Sequence, residues 1–239
     1  MREERHETQL INGHRIATAF HDGGGTDVVV FCHGFKGVKT GPNRHFVRAA
    51  RLLAERGISS LRFDQYASGD SEGEFEDSSF NDWIATTRAI VEDYLAAGNR
   101  VALFGQSMGG CASIAVAADV PAIAALVAWS PGANIEPFVP SPTGFMEEGG
   151  QIVRDAYWRE AHEARIAEKL ALVRCPAYVV LGIADHLVDA SNRQALIDRA
   201  QAHHRIEVIE GLAHSAWSAA QGEEIIGRSC AFLEEALEG

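Results

Sequence analysis

The chain reads as an α/β protein, a mostly parallel central sheet with helices on both faces, and three observations carry that reading. Short continuous apolar runs such as Val28-Val29-Val30-Phe31-Cys32 and Ala177-Tyr178-Val179-Val180-Leu181-Gly182 have the pattern of strands buried on both faces. Amphipathic segments of helical spacing alternate with them. The polar residues with chemical capacity fall just past the carboxyl ends of those runs, where open α/β sheets place their ligand sites.

With 239 residues, 46% hydrophobic and 23% charged, the chain can bury a full core, and residues 1–239 are expected to form one domain. The net charge of −12 argues against nucleic-acid and anionic-membrane partners, because the field repels polyanions before contact. The start, Met1-Arg2-Glu3-Glu4-Arg5-His6-Glu7, carries both signs of charge with no apolar run behind it. It resembles neither a secretory signal nor an anchor, so a cytoplasmic location is expected. Cys32, Cys111, Cys175 and Cys230 are scattered without paired metal spacings and read as small buried hydrophobes.

In chain order, Gln9-Leu10-Ile11 and Arg15 to Phe20 flank Asn12-Gly13 and predict an antiparallel hairpin at the sheet edge. The strand through Val28 to Cys32 runs into His33-Gly34-Phe35-Lys36-Gly37, whose glycines let backbone N–H groups turn into a cleft. Phe46, Val47, Ala50, Leu53 and Ala54 recur at helical spacing, with Gly57 where a C-terminal cap belongs. Ser60 to Phe63 is a strand, and Asp64 to Ser79 a polar, glycine-punctuated surface loop. Trp83, Ile84, Thr87, Val91, Tyr94 and Leu95 mark a helix capped near Asn81 or Asp82 and closed at Gly98.

The apolar strand Val101 to Phe104 then enters Gly105-Gln106-Ser107-Met108-Gly109, a G-x-S-x-G turn followed by a helix of small residues. Such a turn presents its serine at a strained corner, and small neighbours let strand and helix approach. Ser107 is the candidate nucleophile. Ala125 to Trp129 is the next strand. Over residues 132–169 the alternation is interrupted: Pro137, Pro140 and Pro142 break the first part, and Ile152 to Leu172 reads as helical. An insertion here would lie over the cleft as a small lid. Its Tyr157 and Trp158 either line a substrate pocket or anchor the lid to the body. Alternation resumes with the strand to Gly182, a helix from Ser191 to Ala202, a strand from Arg205 to Ile209 and a final helix through Ile225 to Leu237.

Ser107, Asp185 and His214 each follow the carboxyl end of a predicted strand, and a parallel sheet brings those ends to one edge. A serine hydroxyl becomes a useful nucleophile when an imidazole can take its proton and a carboxylate fixes that imidazole's tautomer. His214 is the candidate base, since it alone among ten histidines occupies the loop after the last strand. Asp185 is its candidate partner, with Asp189 in the same loop as the alternative. The N–H groups of Phe35 and Met108 are the candidate oxyanion donors. Asp185 and His186 have no further ligands clustered with them, so no metal and no cofactor is expected.

In these motifs the chain resembles the α/β-hydrolase fold serine esterases over nearly its whole length. More narrowly, His33-Gly34-Phe35, Arg62-Phe63-Asp64, Gly69-Asp70-Ser71-Glu72-Gly73, Glu74-Phe75-Glu76 and the serine turn are similar to the cinnamoyl or feruloyl esterases with a small inserted lid. The resemblance implies the same roles for Ser107, Asp185, His214, Phe35 and Met108. It also implies a small-molecule ester as substrate and self-association as a homodimer, dimers being common among similar esterases. Tyr66-Ala67-Ser68-Gly69-Asp70-Ser71 stands where those enzymes usually show a Gly-His-Gly-Asp-Ser-like loop. The expected activity is hydrolysis of small acyl or aryl esters through an acyl-enzyme. The same triad serves thioesterases, amidases and carbon–carbon bond hydrolases, and a binding protein on this fold needs no turnover.

Overall fold

A computed structural model describes residues 4–134 and 136–238. Met1, Arg2 and Glu3 of the charged start lie outside the described residues. Strands β1 (Glu4–Ile11) and β2 (His14–His21) form the expected hairpin, with Ile11 opposite His14 across the Asn12-Gly13 turn. The strands β3 (Asp27–Cys32), β4 (Ser59–Phe63), β5 (Arg100–Gln106), β6 (Ala125–Trp129), β9 (Ala177–Gly182) and β10 (His204–Ile209) complete one eight-stranded sheet. Its order is β1-β2-β4-β3-β5-β6-β9-β10. β1 and β2 pair antiparallel, as do β2 and β4, and the remaining pairs are parallel. The fold is that of the α/β hydrolases.

Residues of a strand point alternately to the two faces, and both faces here are apolar. Val29, Phe31, Ala102, Phe104, Val127 and Val180 pack under helices α1 (His45–Glu55) and α7 (Ala219–Glu238). Val28, Val30, Val101, Leu103, Leu126, Val179 and Leu181 pack under α2 (Phe80–Ala96) and α3 (Met108–Asp119). Each of the buried Val, Leu and Phe side chains contributes about 1.5–3 kcal/mol, which is what holds the strand ends in fixed relation. The face carrying α2 and α3 also receives α5 (Ile166–Leu170) and α6 (Ala190–Arg199).

Three local expectations are revised. The segment Ile152 to Leu172 is not one helix: β7 (Phe145–Glu148) and β8 (Gln151–Arg154) make a separate hairpin, then come α4 (Ala156–Glu163) and α5. Gly149 and Gly150, at φ 59° and 78°, form the turn between them. Helix α2 is capped by Ser79, whose Oγ accepts the Asp82 N–H at 3.2 Å, rather than by Asn81 or Asp82. The loop after β4 is not all surface, because Asp64 and Gln65 are wholly buried.

Candidate active site

Ser107 sits between β5 and α3 at φ 55°, ψ −125°, a left-handed conformation that costs a non-glycine residue free energy. The surroundings enforce it. The Ser107 N–H donates to the Trp129 carbonyl at 2.8 Å. A Cβ at Gly109 would overlap the carbonyls of Cys32 and His33, so only glycine lets α3 begin this close to the end of β3. That contact sets the distance between the serine turn and the His33–Gly37 turn.

His33 braces the second turn from inside the protein. Its Nδ1–H donates to the Gly34 carbonyl at 2.8 Å, and its Nε2 accepts the Gln65 N–H at 2.9 Å. Burial pulls the His33 pKa below the ordinary histidine value, consistent with this neutral tautomer. The Gly37 N–H closes the turn on the Gly34 carbonyl at 2.9 Å. Phe35 and Met108 both line the cleft, and among the described residues no group accepts either N–H.

Asp185 follows β9 and His214 follows β10, as expected. His214 Nδ1–H donates to Asp185 Oδ2 at 2.7 Å, and the Ser107 hydroxyl donates to His214 Nε2 at 2.8 Å. The other Asp185 oxygen accepts the N–H groups of Leu187 and Val188, each at 2.9 Å. Burial pushes the Asp185 carboxyl up. The hydrogen bonds from His214, Val188 and Leu187, with the attraction of the imidazole, outweigh it and hold the pKa below the ordinary carboxylate value. Asp189, the alternative partner, caps α6 through Ser191 Oγ and the Asn192 N–H at 2.7 and 2.9 Å.

These groups open on a cleft of about 670 Å³ lined by His33, Phe35, Gln106, Ser107, Met108 and Trp158, among others. Trp158 therefore lines the cleft. Tyr157, expected beside it, does not: it is wholly buried between Phe35, Phe80 and Trp83, because the short helix α4 turns it inward onto the core. Sequence reasoning also passed over Lys36, Asn134 and Glu148. Lys36 reaches across from the His33 turn to Glu148 of β7, at 3.2 Å. Gly149-Gly150 between two four-residue runs was the signal for the hairpin that carries Glu148. Among the described residues no cluster of three or more His, Cys, Asp or Glu is placed to hold a metal ion, and no helix is long and apolar enough to cross a membrane.

The family model described as serine aminopeptidase, S33 (Hydrolase_4) matches residues 25–159. The uncharacterized protein Rv2307c of Mycobacterium tuberculosis is 24% identical over 225 residues, covering 89% of this chain and 72% of that protein. Among solved structures, Est1E from Butyrivibrio proteoclasticus with ferulic acid bound superposes at a TM-score of 0.84 and 23% identity, over 98% of this chain and 100% of that one. A monoacylglycerol lipase from Paleococcus ferrophilus gives 0.78 and 19%, over 92% and 99%. These likenesses bear out the fold and the resemblance to the α/β-hydrolase esterases.

Proposed function

The chain belongs to the serine aminopeptidase S33 family of hydrolases, and on that premise we propose that it is a serine-dependent carboxylesterase acting on small acyl or aryl esters, hydroxycinnamoyl esters among them. The observation that carries this reading is the continuous hydrogen-bond chain from Ser107 Oγ through His214 to Asp185. His214 takes the serine proton as Oγ attacks the acyl carbon. The N–H groups of Phe35 and Met108 face the developing oxyanion, and Asp185 stabilises the imidazolium. The imidazolium then protonates the departing alkoxide, leaving acyl-Ser107. In the second half His214 draws a proton from water, which releases the acid and restores the serine. Residues 132–169 act as a lid over the acyl group, with Trp158 at its inner surface.

The family's description raises peptide N-termini as the alternative substrate. A free α-amino group is held by an unpaired carboxylate, and the cleft offers none among its described lining residues: Glu148 is the single acid there, and Lys36 already pairs with it. That favours esters over aminopeptidase substrates. The test is steady-state hydrolysis of a panel running from short aliphatic aryl esters through methyl hydroxycinnamates and acyl thioesters to amino-acid anilides, on the native protein beside Ser107→Ala. Ester turnover is expected in the native protein, with kcat/KM about 10⁴-fold or more lower in the variant. Unchanged hydrolysis in Ser107→Ala would sink the assignment.

A further inference from the structure

We propose that Trp217 is a positioning residue for His214. Its indole N–H holds the main chain of the histidine loop where the imidazole reaches Ser107 and Asp185 together; this rests on the hydrolase reading above. Nine residues, 210–218, join β10 to α7 and carry His214 in their middle. Leu212 anchors the first half, being wholly buried with its carbonyl pressed against Gly182, where a Cβ would overlap it. From Ala213 to Trp217 the one hydrogen bond to a main-chain atom, among the described residues, runs from Trp217 Nε1–H to the Ala213 carbonyl at 2.7 Å. The residue held is the immediate neighbour of His214.

The indole is itself fixed. It is 7% exposed and lies against the His45 ring, centroids 5.2 Å apart and planes at 23°. It also meets Trp129, with centroids 5.0 Å apart and planes at 61°. His45 is backed by α7, since a Cβ at Gly222 would come within 2.9 Å of its Nε2. Trp129 is tied by its own indole to Ser229 Oγ at 2.9 Å, and its carbonyl accepts the Ser107 N–H. One aromatic stack thus joins the main chain at the serine to the main chain at the histidine. Because reacting groups misplaced by about 1 Å lose rate steeply, the Ala213 anchor bears on proton transfer rather than on substrate affinity.

Two replacements separate positioning from space-filling. Substituting benzothiophene for the Trp217 indole keeps the ring's shape and removes the donor; Trp217→Phe removes the donor and part of the ring. Active sites are titrated with a fluorophosphonate, kcat and KM are measured on the best ester, and the low-field proton resonance of His214 Nδ1–H is recorded by NMR. The expected result for the benzothiophene protein is a thermal midpoint near that of the native protein and KM within about twofold. Its kcat per titrated site is expected to fall about tenfold or more, with the low-field resonance weakened or shifted. Native kcat and a native low-field resonance in that protein would overturn the proposal, whether or not Trp217→Phe folds. Should the native protein show no Ser107-dependent turnover, the hydrolase reading fails on its own; the resonance still decides whether the indole holds His214.

Discussion

The two walls of the cleft are held by different physics. On the sheet side every site residue is tied to a strand end, and behind the His33 turn lies a charged cluster centred on the buried Asp64. Lys39, next to the cleft-lining Val38, donates through Nζ to Asp64 at 2.6 Å and to Asp70 at 2.7 Å, and its N–H reaches Asp64 at 2.5 Å. Asp64 is wholly buried and also accepts the Asp70 N–H at 3.0 Å. On the insertion side, both residues of the Lys36–Glu148 pair are substantially exposed, Arg154 and Asp77 pair at 3.5 Å, and every residue of β7 is exposed. The groups that the proposed function needs within a fraction of an ångström of each other stand on the first wall. The second supplies Trp158, whose task on the reading proposed here is to fit an acyl group, and it meets the first wall through the Phe35 ring, at 4.8 Å between centroids.

The sharpest way to break the comparison is at the Ser107–His214–Asp185 hydrogen-bond chain, which the proposed function reads as a triad. His214→Ala is expected to lower kcat by at least about 10⁴-fold, and the double variant with Ser107→Ala to be little worse than either single change, because the residues act as a unit. Additive losses would mean that the hydrogen-bond chain is not one machine.

Next in size, Asp64→Asn leaves the largely buried Lys39 ammonium with the exposed Asp70 alone. Loss of one partner of a buried pair costs about 3–5 kcal/mol, readable as a lower urea midpoint. The pH dependence has a definite sign. Burial lowers the Lys39 pKa, but Asp64 and Asp70 outweigh burial and leave it above the ordinary lysine value. The pair's contribution is therefore complete below the ordinary lysine pKa and is lost as the pH rises through the folded one. An Asp64→Asn protein as stable as the native one would show that the first wall is not braced as described.

Gly182→Ala tests the same wall at the acid strand. The new Cβ would displace the Leu212 carbonyl and with it the histidine loop. A fall in kcat of about 10²-fold is expected for a shift of about 1 Å, and native activity would contradict the contact.

Trp158→Ala probes the other wall. Selectivity between the largest and smallest acyl groups should shift by about tenfold, with stability changed by no more than about 2 kcal/mol. A loss of kcat on every ester alike would place Trp158 with the rigid wall instead.

The smallest expected effect is none. Burial pushes the Cys32 and Cys175 thiols up to about 11 and those of Cys111 and Cys230 up to about 12. Treating the folded protein with iodoacetamide near pH 8 should therefore leave activity intact, and rapid inactivation would mean that one of these sites opens.

Legibility along the chain divides in the same way. Ser107, Asp185 and His214 were legible because a buried strand announces its own end, and a polar residue just past that end in a parallel sheet has one edge to reach. The paired glycines flanking Ser107 and the His33-Gly34-Phe35 turn were legible because backbone conformation is a local property. The β7–β8 hairpin was obscured by its brevity: four residues on each side of Gly149-Gly150 show no periodicity strong enough to outweigh the helical pattern of the neighbouring segment. Tyr157 and Trp158 are adjacent and chemically alike, so nothing local separates the one in the core from the one in the cleft.

The amino-acid sequence by itself determined the sheet, the order of its strands' chemistry and the three residues brought to one edge, since these depend on hydrophobic periodicity and turn chemistry within a few residues. Only the tertiary structure decided that Asp185 rather than Asp189 meets His214. It alone put Lys39 on Asp64, Gly182 under Leu212 and the Trp217 indole between His45 and Trp129. Each of those contacts joins segments distant in the chain through one hydrogen bond, one missing Cβ or one ring face. Such pairings leave no period in the sequence, because they are set by where packed elements happen to touch.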